Sequence, residues 1–79
     1  MISDIDYIAD QLTNVWELST PSEMFEHLQS QTNVNSKRLE LLINEWYDND
    51  TQRNEILMSM DSSKLINYIN KRIKNDTVK

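Results

Sequence analysis

Cysteine and glycine are absent from this 79-residue chain, and proline occurs once, as Pro21. Without cysteine there is no disulfide framework and no thiolate metal site, and the one histidine, His27, cannot build a metal site alone. Without glycine, the tight turn of a calcium-binding loop and the phosphate-cradling loop of a nucleotide site are both missing. No cofactor and no metal are therefore expected. Long apolar runs are absent too: no stretch approaches the roughly 18 residues of a membrane span. The start, MISDIDYIAD, lacks the basic flank and apolar stretch of a secretory leader. A cytoplasmic chain with no membrane partner is the expectation. The abundance of Asn, Ile, Lys and Asp fits an AT-rich coding sequence, such as that of a low-GC bacterium, its phage or a mobile element.

One sign of charge is also missing from the first half. Residues 1–36 hold six acids (Asp4, Asp6, Asp10, Glu17, Glu23, Glu26) and neither Lys nor Arg. Residues 51–79 hold six bases against three acids, and the net charge is −5. The chain is thus electrically polar, acidic first and mildly basic last.

The periodicity that is present is helical throughout. Ile5, Ile8, Leu12 and Val15 or Trp16 share one face, with Ser3 placed to cap, which predicts a helix over residues 4–18. Thr20 followed three residues later by Glu23 is a capping box, and Pro21 falls where its missing N–H costs nothing. A second helix follows over 21–31, with Met24, Phe25 and Leu28 inward and Leu18 closing the corner. Leu39, Leu42, Ile43 and Trp46 form the cleanest stripe, over 36–47. Ile56, Leu57 and Met60 mark a helix over 51–60, and Leu65, Ile66, Ile69 and Ile73 another over 62–74, with fraying over 75–79. Where helix ends need a left-handed residue, asparagine is the best substitute for glycine, and Asn33, Asn49 and Asn75 are so assigned. The fold class is all-α, a compact small bundle of four to five short helices in one domain, 1–79. A chain of this length buries only about 60% of its unfolded surface, so it is a marginal monomer or a subunit that completes its core elsewhere.

No nucleophile arrangement or paired carboxylate with a reason for a shifted pKa is present, so no catalytic residue is assigned and an enzyme is not expected. Asp6 with Asp10, and Glu23 with Glu26, stand at helical neighbour spacing, which on an exposed helix is ordinary charged surface. His27 is assigned to the surface or the core boundary. Trp16 and Trp46 are assigned to core packing. Off the stripe centres stand Tyr7, Leu41 and Tyr47, the candidate aromatic and apolar contacts, and Met58 joins Leu41 as surplus apolar surface.

Residues 22–46, SEMFEHLQSQTNVNSKRLELLINEW, place Leu28 late in one helix, Asn33 and Val34 in a turn, and Leu39 and Leu42 on the next helix. This pattern is similar to a helix-turn-helix over 25 of 79 residues. The resemblance implies that Asn35, Ser36, Lys37, Arg38 and Leu41 face DNA. It departs at Gln29, where a small residue is usual, and in the lack of a turn glycine. Lys37 and Arg38 are moreover the only bases before Arg53, whereas DNA affinity rests largely on neutralising phosphates. The leading expectation is a small acidic interaction module, a regulator or inhibitor, using Asp6, Asp10, Glu17, Glu23 and Glu26 against a basic protein surface. The alternatives are a DNA-binding regulator built on residues 21–47, and a self-associating subunit, for example a homodimer.

Overall fold

The structure is a computed structural model that describes residues 3–73; the expected fraying over 75–79 and the turn role of Asn75 lie outside them. Five α-helices follow one another: α1 (Asp4–Asn14), α2 (Pro21–Gln31), α3 (Ser36–Asp48), α4 (Asp50–Ser59) and α5 (Ser62–Ile73), with a 3₁₀ turn (Trp16–Leu18) after α1. Among the described residues there is no strand.

Each start is set by a side chain that satisfies an otherwise unpaired backbone N–H. Ser3 accepts from Asp6 N–H at the start of α1, and Asn35 from Arg38 N–H at the start of α3. The capping box of α2 is complete: Glu23 N–H donates to Thr20 Oγ1 at 3.1 Å and Thr20 N–H to Glu23 Oε1 at 2.9 Å. Asn49 caps α4 by accepting from Gln52 N–H, and Asp61 accepts from Ser63 N–H at the start of α5.

Helix ends differ from expectation. Neither Asn33 nor Asn49 is left-handed; among the described residues only Met60 has positive φ, at 55°. The reason lies in the connections. At Thr32 the chain leaves α2 in extended geometry and runs on to the next cap, so no left-handed reversal is needed. Asn49 ends α3 through its N–H and starts α4 through its side chain, at φ −98°. The tight reversal comes instead between α4 and α5, at Met60, whose side chain is 93% exposed rather than inward. The first helix also stops early, at Asn14, and tightens into the 3₁₀ turn, where Leu18 N–H donates to Val15 C=O. That turn leaves Leu18 exposed, so it does not close the corner.

Burial follows the apolar spacing. Ile8 and Leu12 of α1, Met24 and Leu28 of α2, Leu39, Leu42, Ile43 and Trp46 of α3, and Leu65, Tyr68 and Ile69 of α5 form one core. Helix α3 is its hub, packing on α2, α4 and α5, while α5 also lies along α1. Trp16 differs from its assignment, being half-buried beside the core rather than in it.

Candidate functional site

Two charged surfaces result, and the acidic one is carried by α1, the 3₁₀ turn and α2. Asp6, Asp10, Glu17, Glu23 and Glu26 are all exposed. Tyr7 Oη and His27 Nε2 are hydrogen-bonded at 2.6 Å, a bridge from α1 to α2 with ring centroids 5.8 Å apart. With 3.6 residues per turn, Asp6 and Asp10 fall on one side of Tyr7, and Glu23 one turn before His27. The bridge thus ties together the two helices that carry these three acids. Glu26 turns away to line a groove between α2 and α3, with Pro21, Phe25, Glu40 and Ile43. Glu17 lies on the 3₁₀ turn.

Several carboxylates also serve the fold. Asp4 accepts from Asn33 N–H at 3.0 Å, fastening the start of α1 to the α2–α3 connection. Glu23 is held in the capping box, and Asp10 accepts from Asn14 and Gln11 side chains. These bonds fix the geometry of the acidic half.

Tyr47, a candidate contact, is half-buried and has its hydroxyl engaged: it donates to Trp16 C=O at 2.7 Å and to Ser19 C=O at 3.0 Å. Burial, then the nearby Glu23 charge, holds this phenol above its ordinary range. Its ring meets Trp16 edge-on at 5.7 Å. Tyr7 is half-buried with its hydroxyl on His27, and Leu41 is 60% exposed on α3.

At the α2–α3 corner, Asn35 is the cap of α3, and Gln29 Nε2 donates to Ser36 Oγ at 2.6 Å. Two of the five candidate DNA contacts, Asn35 and Ser36, are therefore engaged in building the corner. Lys37 is exposed and Arg38 half-buried.

Two arrangements escaped the sequence reading. Arg53 is buried to 7% exposure, where its guanidinium donates to Trp46 and Tyr47 C=O at 2.8 and 3.1 Å and to Asp50 at 2.7 Å. It also lies 4.1 Å above the Trp16 ring. A cation in the first turn of α4, within reach of the end carbonyls of α3 and of Asp50, was the available signal. The second is a triad: Glu45 of α3 accepts from Tyr68 Oη at 2.8 Å and from Arg72 Nε, both on α5. Burial raises the Glu45 carboxyl, but the bonds from Arg72 and Tyr68 and the Arg72 charge outweigh it, leaving it below its usual range. Burial, then the bond to Glu45, raises the Tyr68 phenol strongly.

The other charged surface belongs to α4 and α5, whose shared groove is lined by Gln52, Ile56, Lys64, Asn67, Tyr68, Lys71 and Arg72. Among the described residues no group of three or more metal-ligating side chains is assembled, and no helix is long and apolar enough to cross a membrane.

Comparison with known proteins returns no likeness: no protein-family model matches the chain, nor does any curated protein or solved structure.

Proposed function

We propose that the protein is a small acidic interaction module, a cytoplasmic regulator or inhibitor, that binds a basic protein surface through its acidic first half. The observation that carries this reading is six acids and no Lys or Arg across residues 1–36, five of them exposed on α1, the 3₁₀ turn and α2. A one-signed surface on a rigid support steers association with an oppositely charged partner and disfavours like-charged ones. The fixed corner at Thr20 and the Tyr7–His27 bridge support the reading further, because a preformed surface loses little freedom on binding. The DNA-binding alternative has less support, with Asn35 and Ser36 engaged in the corner.

The test is affinity capture from the source cells with the wild type and with an Asp6→Asn/Asp10→Asn/Glu26→Gln variant, at low and at high salt. A basic protein retained by the wild type at low salt, and lost both in the variant and at high salt, is expected. Capture indifferent to salt and to the substitutions would overturn the reading.

A further inference from the structure

We infer that the α4–α5 groove is a docking site for the acidic α2 flank of a second copy of this chain, so that copies associate head to tail. The inference rests on the reading above and names a partner for that acidic surface.

The groove has an apolar floor and a cationic rim. Ile56 is half-buried between the helices, and Lys64 and Lys71 are exposed, two turns apart along α5, with Asn67 between them. Arg72 is committed to Glu45, whereas Lys71 has no hydrogen-bond or ion-pair partner among the described residues. Lys64 acts only weakly on Asp61, lowering a carboxyl held down first by the Ser63 hydroxyl. The two lysines are thus left to meet an external anion.

The complementary surface stands on α2 and the adjoining edge of α3. Glu26 and Glu40 line the α2–α3 groove over Phe25 and Ile43, again charge over an apolar floor. Neither carboxylate has a partner among the described residues. Helix α3 packs on α2 and on α5, and α2 and α5 make no substantial contact with each other, so the two grooves lie on different flanks of the molecule. One copy can therefore offer its acidic groove to the next without covering its own basic one. The net charge of −5 does not forbid this, since charges are screened over about 8 Å at physiological salt while the molecule is 27 to 31 Å across. A nucleic-acid occupant fits less well, because two lysines neutralise few phosphates and binding strength follows that number. Because the two surfaces differ, the contact is heterologous and generates chains or rings instead of a two-fold symmetric dimer.

Sedimentation equilibrium tests this on the full chain. The wild type is expected to gain weight-average mass with concentration at about 50 mM salt and to revert to monomer at about 500 mM, where the screening length is several times shorter. The Lys64→Glu/Lys71→Glu and Glu26→Lys/Glu40→Lys variants, with helix content verified by circular dichroism, should each associate more than about tenfold less, since like charges are then juxtaposed across the contact. Mixed together, they should regain association, as the intact acidic flank of one meets the intact basic groove of the other and the two reversed surfaces are again opposite in sign. A second measurement needs no variant: carbodiimide coupling of mixed isotope-labelled and unlabelled wild type should join Lys64 or Lys71 of one copy to Glu26 or Glu40 of another. A strictly monomeric wild type with no such cross-link, or mixed variants that ignore each other, would overturn the inference. If a basic protein of another sequence is still captured through the acidic surface, only the self-association falls; if nothing is captured either, the proposed function falls with it.

Discussion

Arg53 and Met60 carry the residue-scale consequences, one by what it satisfies and the other by what it costs. Arg53 gathers the last carbonyls of α3, the Asp50 carboxylate and the Trp16 ring around one guanidinium. Removing it leaves buried acceptors unpaired, so Arg53→Ala is expected to destabilise by about 2 to 3 kcal/mol, the scale of lost charged hydrogen bonds. Chemical denaturation would measure this, and a loss below about 0.5 kcal/mol, ordinary for an exposed residue, would deny Arg53 its role. Met60 holds φ 55° with a side chain in solvent. Asparagine tolerates that geometry better, so Met60→Asn should raise stability by up to about 1 kcal/mol, seen as a higher Tm. Neither role was legible from composition: Arg53 read as one base of a basic tail, and Met60 as an inward apolar residue. Burial of an arginine depends on contacts from the 3₁₀ turn, some 37 positions away from it in the case of Trp16, which local spacing does not encode.

The elements themselves were largely legible, because each helix has a capping residue before it and α1, α2, α3 and α5 carry a buried apolar stripe, which α4 lacks. Thr20→Ala is expected to cost about 1 kcal/mol, the usual scale for a lost N-cap, read as a lower Tm. An unchanged Tm would mean that Pro21 alone fixes the corner. The residues that terminate helices were read less well. Asn33 and Asn49 were assigned by their tolerance of left-handed geometry, yet neither adopts it, and they serve as a backbone tie and a cap. Tyr47 was similarly misleading. Standing off the stripe of α3, it had the look of a surface contact, while its hydroxyl reaches back to Trp16 and Ser19 and supports the 3₁₀ turn. The acidic surface was legible residue by residue as sequence charge. The Tyr7–His27 tie and the placing of Glu26 in the α2–α3 groove needed the angle between helices.

For the whole molecule, the Glu45–Tyr68–Arg72 triad links stability to pH on both sides. The folded carboxyl of Glu45 sits below its ordinary value, so its contribution is present above the unfolded pKa and is lost as pH falls through the folded one, in the acid range below 4.5. The Tyr68 phenol is raised, so its contribution is complete below its ordinary 10.0 and is lost only as pH rises beyond that. Glu45→Gln should therefore lower stability near neutral pH and converge with the wild type in strong acid, a comparison made by denaturation at a series of pH values. A constant difference between the two at every acid pH would deny the linkage.

The charge layout is the other whole-molecule property, and it places opposite signs on α2 and on the α4–α5 groove of one small body. Its central consequence is that binding through the acidic half should be electrostatic in measurable proportion. The most direct measurement is the affinity for a captured basic partner as a function of salt, for the wild type and for Asp6→Asn/Asp10→Asn/Glu26→Gln. The wild-type affinity should fall steeply as salt rises, and the variant should bind more weakly at low salt with a shallower dependence, the two converging at high salt. Equal affinities with equal salt dependence would contradict the account.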